Sequence, residues 1–346
     1  MSISKNKKIP LWLPYTFQIE VKKNIVTFQY KGGKYTANIK NILSIMLYGG
    51  TCDLSENFLQ LCAKYGVPIC LHRRTMSNAV WITPSVKTSA KDDILSKQIS
   101  FRNNEKKRVH IAKKILQAKF KSMSWLVSYP MLFDGKRYSI KQMVNIEAQH
   151  AKVYWKKYYK ILGYSGYSRR GGANTIKSIL DAVSKLISGI TLRYIIYHRM
   201  SPYHGFLHIP TDYPSLVYDL MEPYRGNIEK IVFNTIQQAK SEKVEEKDFL
   251  ARCIIAVEDY LDSNLYTNTT RQIVTFQELL HGSVLSLRSY LQGISRQFIV
   301  PIPGKPNGGR PVKVGYKLYG RTAGPTDFWS VAKNVSNTHE KQMASK

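Results

Sequence analysis

The sequence predicts an α+β chain: a small β-rich amino-terminal domain, a larger α-helical domain, and a flexible basic tail. Three observations carry that division. Apolar and polar residues alternate with a period of two over residues 15–50, and the period becomes helical from about residue 105. After residue 300 the composition turns rich in Gly, Pro and Lys/Arg. The resulting boundaries are 1–90 for the β-rich unit, 91–104 for a linker, 105–300 for the helical domain and 301–346 for the tail.

In the first unit, Phe17, Ile19 and Val21 alternate with polar neighbours, as do Val26, Phe28 and Tyr30. Lys31-Gly32-Gly33-Lys34 supplies a turn into a third strand, residues 35–39, and residues 42–48 read as a more buried one. Ser55 opens a short helix that Gly66 closes, with Pro68 just beyond. Residues 67–72 and 79–82 read as further strands. Residues 83–104 are polar and read as the connection between domains.

The first long helix carries a stripe of Val109, Ala112, Leu116, Phe120 and Met123 and ends at Tyr129-Pro130. Lys106, Lys107, Lys113, Lys114 and Lys121 crowd its other faces. The next, at about 139–162, places Val144, Ala151, Tyr154 and Tyr158 inward, with Glu147 on that same stripe. An ionised carboxylate facing a core is costly unless a cation offsets it, and either a bound ion or a Lys or Arg partner would do so. Residues 163–173 form a loop with Arg169 and Arg170, followed by a helix through Ile179, Val183, Leu186 and Ile190.

Residues 201–225 read SPYHGFLHIPTDYPSLVYDLMEPYR. His208 falls in a loop bounded by Pro202, Gly205 and Pro210. Leu216, Val217, Leu220 and Met221 follow at helical spacing, with Ser215 as cap. Asp219 and Glu222 are three apart and share one flank of that helix, so they form either a solvated edge or, with His208, a divalent-metal site. Helices follow at 228–237, 249–261 and 278–298, the last carrying His281 as a packed or exposed residue rather than a ligand. The tail interleaves cations with Tyr316, Tyr319 and Trp329, a combination suited to single-stranded DNA or to a protein partner.

There are 52 Lys+Arg against 23 Asp+Glu, a net charge of +29, which points to a polyanionic partner, most often nucleic acid. No apolar run approaches the roughly 18 residues of a membrane span, and the first residues lack a signal-peptide core, so no membrane association and a cytoplasmic setting are expected. Cys52, Cys62, Cys70 and Cys253 form no metal-binding spacing and read as packing residues of a reducing compartment.

GFLH at 205–208 and SLVYDLMEPYR at 215–225, preceded by EAQHAKVYW at 147–155, resemble in order and spacing the catalytic region of the CRISPR adaptation integrases, the first of the CRISPR-associated proteins. More faintly, the resemblance runs from the amino-terminal region to about residue 300. It implies that the β-rich unit serves dimerisation, and that Glu147, His208 and Glu222 are catalytic and bind Mg²⁺ or Mn²⁺, with Asp219 as a supporting or alternate ligand. Hard oxygen ligands suit both ions and the imidazole leans towards Mn²⁺. It also implies joining of 3′-hydroxyl ends of spacer DNA into a CRISPR array, with hydrolysis when water attacks, by a homodimer acting with the second CRISPR-associated protein. Arg169, Arg170, Lys106, Lys107, Lys113 and Lys114 are the candidate DNA contacts.

The family often carries Asp-x-x-Asn before a helix; here Asn174 stands, but Gly171 replaces the aspartate. Two alternatives remain on the same fold, a transposon-type, casposase-like integrase and a noncatalytic DNA-binding scaffold. Casposases commonly carry a carboxyl-terminal helix-turn-helix, for which this tail shows no pattern. A zinc site of His204 and His208 is disfavoured by Gly205 and the flanking prolines.

Overall fold

The computed structural model describes residues 8–73, 79–85, 93–128, 138–164, 166, 169, 174–267, 272–304 and 321–322. Readings placed on Tyr129-Pro130, Arg170, Gly171 and most of the tail, including Tyr316, Tyr319 and Trp329, lie outside the described residues.

The amino-terminal unit holds β1 (Ile9–Pro14), β2 (Gln18–Lys22), β3 (Ile25–Tyr30), β4 (Gly33–Asn38), β5 (Ile42–Tyr48), α1 (Glu56–Tyr65), β6 (Ile69–His72) and β7 (Val80–Ile82). β2, β3 and β4 form the expected antiparallel meander. The second sheet runs β1-β5-β6-β7, parallel except for β7. β1 is an addition to the sequence reading. Its IPLWLP is bracketed by prolines, which the edge position tolerates. β5 is buried along its whole length because both its faces are covered. Ile45 and Leu47 enter a small core with Val26, Phe28 and Phe58, while Met46 and Tyr48 join the large helical core. Ser55 Oγ caps α1 and Gly66 ends it in the left-handed region at φ 65°, as its position predicts.

The helical domain comprises α2 (Ile94–Asn103), α3 (Glu105–Met123), α4 (Ile140–Ile161), α5 (Thr175–Tyr197), α6 (Ser215–Met221), α7 (Arg225–Ser241) and α8 (Phe249–Leu261). β8 (Asn264–Thr267), β9 (Gln272–Thr275) and α9 (Phe276–Leu291) follow, and β10 (Arg321–Thr322) adds to β9. α5 is its axis, buried from Ile187 to Leu192, and at Gly189 it lies so close to β5 that a Cβ would come within 2.9 Å of Ser44. No helix among the described residues is long and apolar enough to cross a membrane. The four cysteines are unpaired, and burial pushes the thiols of Cys62, Cys70 and Cys253 up to about 12.

Three boundaries differ from the sequence reading. The stretch read as a linker contains α2, whose buried Gln98 fixes the loop described below. α3 ends at Met123, six residues before Tyr129, with Ser124 closing it. α9 begins at Phe276 on a capping box of Thr275 and Glu278 and stops at Leu291 rather than near 298.

Candidate active site

α4 starts where Ser139 and Gln142 cap each other, which sets the phase of its buried face. Met143, His150, Tyr154 and Tyr158 are buried on that face, and Val144, expected inward, is exposed. Glu147 lies on the buried stripe with 23% of its side chain exposed. The cation offsetting its charge is Lys119 of α3, whose Nζ is 2.7 Å from Glu147 Oε1 and 2.5 Å from Glu222 Oε2. Lys119 is itself 5% exposed.

Glu222 opens a single 3₁₀ turn, Glu222–Tyr224, between α6 and α7. Its Oε1 accepts from Arg225 Nη1 at 2.8 Å, and Arg225 Nε donates to Glu229 Oε1 at 3.1 Å. Burial alone would raise the Glu222 carboxyl; Lys119, Arg225 and His208 outweigh it and hold it down at about 2. For Glu229 burial wins over Arg225 and its carboxyl is raised. Lys119 is raised, because Glu222 and Glu147 outweigh the burial that would lower it. The joint that brings Lys119 here is close-packed. A Cβ on Gly226 would lie 2.4 Å from the Ser122 backbone, and Trp125 Nε1 donates to Gly226 O.

The His208 loop is fixed from two sides. Asp219, fully buried on α6, accepts backbone N–H bonds from Phe206, Leu207 and His208, and His208 Nδ1 at 2.7 Å. Both Asp219 oxygens are thus engaged within the protein, which makes it the orienting carboxylate of His208. Burial would lower the His208 imidazole, but the hydrogen bond and charge of Asp219 outweigh it, for a net upward shift. On the other side, Gln98 bonds Ser201 O, His204 O and Ser201 N, while Arg102 bonds Gly205 O and Ile209 O. Ser215 does not cap α6; its hydroxyl accepts from Gly205 N and donates to Tyr203 O. At Gly205 a Cβ would approach His208 O to 2.6 Å and Asp219 Oδ2 to 2.9 Å, so the turn needs glycine. His204 bonds Ser201 through Nδ1, and His281 is buried, stacked on Tyr194 and bonded to His198.

His208, Glu222, Arg225 and Glu229 line a cleft of about 680 Å³, walled also by Trp81, Tyr203, Tyr213 and Tyr218. Arg169 reaches it, bonded to Asp181 and lying over Trp155. Lys185 donates to Tyr218 Oη at 2.6 Å. Asn174 accepts from Lys177 N and so caps α5. Lys106 and Lys107 are exposed, with Lys107 Nζ 4.0 Å from the Phe101 ring centroid, whereas Lys113 and Lys114 are half-buried.

Among the described residues no three His, Cys, Asp or Glu side chains stand close enough together to hold an ion as they are, and Lys119 lies between the two glutamates. The donor set nevertheless fits a hard divalent ion. It offers two carboxylates and an imidazole whose Nε2 is left available by the Asp219 bond. Glu222 Oε2, despite its close ion pair with Lys119, is buried without a hydrogen bond of proper geometry. Lys119, Arg225, Glu229 and Gln98 were not among the sequence candidates. Lys119 carries the same signal as Glu147, a charge three residues after Leu116 and four before Met123 on an apolar stripe.

The CRISPR associated protein Cas1 family matches residues 15–132 and 134–257, well over half of the chain. A CRISPR-associated endonuclease Cas1 of Pyrobaculum aerophilum is 27% identical over 103 residues, 30% of this chain and 35% of that protein. The match thus spans about a third of that relative's length. Among solved structures, a casposase bound to its integration product superposes with a TM-score of 0.67 at 19% identity, covering 85% of this chain and 93% of that one. A Cas6-RT-Cas1–Cas2 complex gives 0.70 at 12% identity, covering 87% of this chain and 36% of that one. These likenesses establish the fold, and the family match establishes the kinship: the chain belongs to the Cas1 family of CRISPR-associated proteins.

Proposed function

We propose that the chain is a metal-dependent DNA integrase and endonuclease of CRISPR adaptation, joining 3′-hydroxyl ends of spacer DNA into the array by transesterification. The observation that carries this reading is that an imidazole oriented by Asp219 and the Glu222 carboxylate line one cleft, with Glu147 tied to Glu222 through Lys119. Glu147, His208 and Glu222 would hold Mg²⁺ or Mn²⁺. When bound, such an ion polarises a phosphate oxygen and acidifies the attacking hydroxyl or water.

The chain's own residues do the positioning. Asp219 accepts a hydrogen bond from His208 Nδ1–H and so leaves Nε2 as the ring nitrogen free to ligate. Arg225 holds Glu222 Oε1 and leaves Oε2 for other cations. Lys185 and Arg169, both on the cleft wall, place positive charge where a phosphodiester would enter, and the aromatic wall suits unpaired bases. The surplus of +29 supports DNA binding through phosphates, largely without sequence reading.

A Cas1–DNA complex and the Cas6-RT-Cas1–Cas2 complex among the similar structures support DNA and a second CRISPR-associated protein as partners, and the resemblance in sequence adds a second copy of this chain. The likeness to a casposase favours a second reading, integration in a transposon context by the same chemistry.

The test is strand transfer of a short duplex with free 3′-hydroxyl ends into supercoiled DNA, with Mg²⁺ or Mn²⁺, with EDTA, and with Glu147→Ala. Joining is expected only with the ion and the intact glutamate; joining that persists in EDTA or in the variant overturns the mechanism. DNA affinity is expected to fall with salt at a log–log slope near −0.9 per neutralised phosphate, and a slope of about one would exclude an extended DNA track.

A further inference from the structure

Among the described residues Lys119 is the lysine that the structure places against two of the proposed ligands, and nothing in the proposed chemistry requires it there. Its surroundings define what it does. The ammonium is buried, 2.7 Å from Glu147 Oε1 and 2.5 Å from Glu222 Oε2, at the point where two carboxylates from α4 and the α6–α7 turn converge. An ion shared by those carboxylates would have to occupy much the same place. A lysine ammonium and a divalent ion cannot both sit there, because like charges so close together in a buried setting repel strongly.

Charge balance points the same way. In the ion-paired set of Glu147, Glu222 and Glu229, three carboxylates face two cations, Lys119 and Arg225. Exchanging the single charge of Lys119 for a double one would neutralise the set. The lysine is a long, flexible point charge and can withdraw, whereas Arg225 is held by two carboxylates and stays.

We propose that Lys119 is a resident counter-cation of the active site: its ammonium occupies the position between Glu147 and Glu222, and a divalent ion is held by these acids only by displacing it. The proposal rests on the metal-dependent reading above. Lys119 keeps the two acids together and compensated when no ion is held, and it weakens ion binding by direct competition. The ion site is therefore tuned to higher divalent concentrations than its three ligands alone would set. The displaced ammonium is also freed for an anionic partner, and a DNA phosphate supplies one.

The experiment measures Mn²⁺ binding by the loss of the free-ion electron paramagnetic resonance signal, for the full chain and for Lys119→Met, Lys119→Gln and Lys119→Arg. Thermal melts with and without Mn²⁺ accompany each. Both neutral variants are expected to bind Mn²⁺ about tenfold more tightly than the parent, with Lys119→Arg close to the parent. Mn²⁺ should also raise the melting temperature of the neutral variants more than that of the parent, because there it restores a missing charge. Neutral variants that melt cooperatively and bind Mn²⁺ no more tightly than the parent overturn the proposal. If one neutral variant does not fold, the other decides it. If no form, the parent included, binds Mn²⁺, the metal-dependent reading itself fails and the proposal falls with it. Binding by the parent with no gain in the variants removes the competition alone.

Discussion

His208 gives its Nδ1 to Asp219 Oδ1 at 2.7 Å, and the backbone N–H of the same residue donates to the same oxygen at 3.0 Å. One carboxylate therefore fixes both the ring and the main chain of the proposed ligand, and selects the tautomer that leaves Nε2 free. Asp219→Asn replaces one acceptor oxygen by a donor facing N–H groups. Metal affinity and strand-transfer rate are expected to fall about 10- to 100-fold, as for other supporting groups of ligating histidines. A Mn²⁺ titration beside initial joining rates checks this; a rate loss with unchanged Mn²⁺ binding would place Asp219 outside the ion's support.

Gln98 is buried and makes three hydrogen bonds to the backbone of Ser201 and His204. Gln98→Leu keeps the volume and leaves those groups unpaired, at a cost of about 1–3 kcal/mol per stranded group. The expected result is a melting temperature lower by several degrees and a joining rate lowered more than DNA affinity, since the His208 loop loses its register. A variant that melts like the parent and joins DNA normally would show that Arg102 and Asp219 hold the loop without Gln98.

Glu258 sits in a recess between α8 and the β-rich unit, lined by Trp12, Tyr30 and Tyr35. Burial, then the charges of Asp259 and Asp262, push its carboxyl up to about 7. The folded state thus keeps a proton that the unfolded chain releases near 4.5, so this group's contribution is full below pH 4.5, declines as pH rises to about 7, and is flat above. Buried His198 and His281, lowered to about 4 and 3, give the opposite slope between their folded values and 6.5, so the comparison must be a difference. Glu258→Gln is expected to be the more stable form at pH 8, with its advantage shrinking towards pH 5 in urea unfolding. An advantage that does not change with pH would mean that Glu258 ionises normally.

The meander, β5, α1 and α8 were legible because period-two alternation, a Ser/Gly cap pair and an amphipathic stripe are local signals. Glu147 was legible as an anomaly, a charge on a buried face, but its partner was not. Choosing between an ion and a lysine requires knowing that α3 lies against the Glu222 turn, a contact between residues about a hundred apart. α2 was hidden for a related reason. Its residues are polar because Gln98 and Arg102 spend their side chains on the His208 loop, and a polar helix with little apolar face reads as a linker. Ser215 looked like a cap from its place after Pro214, yet its hydroxyl is taken by Gly205 and Tyr203, which only the folded loop brings near.

The contact of α3 with α7 sets the distance between Lys119 and Glu222, and Gly226 is what permits it. A Cβ there would meet Ser122 C and O at 2.4 Å and Met123 N at 2.6 Å, all backbone atoms that cannot swing aside. The same glycine donates its N–H to Ser122 Oγ and accepts from Trp125 Nε1, so a shift also strains two hydrogen bonds. Gly226→Ala gains helix propensity of up to about 1 kcal/mol. Overpacking of a tight contact costs about 1–3 kcal/mol, so a net loss of stability is expected. Because the helices must part at the joint beneath the active site, the joining rate should fall further than the melting temperature suggests. Gly163→Ala, at a left-handed position where the nearest atom to a Cβ is Lys240 Nζ at 3.6 Å, provides the contrast. It is expected to cost stability through its backbone strain while leaving the rate near the parent's. Equal rate losses in the two variants would mean that the α3–α7 joint does not govern the site.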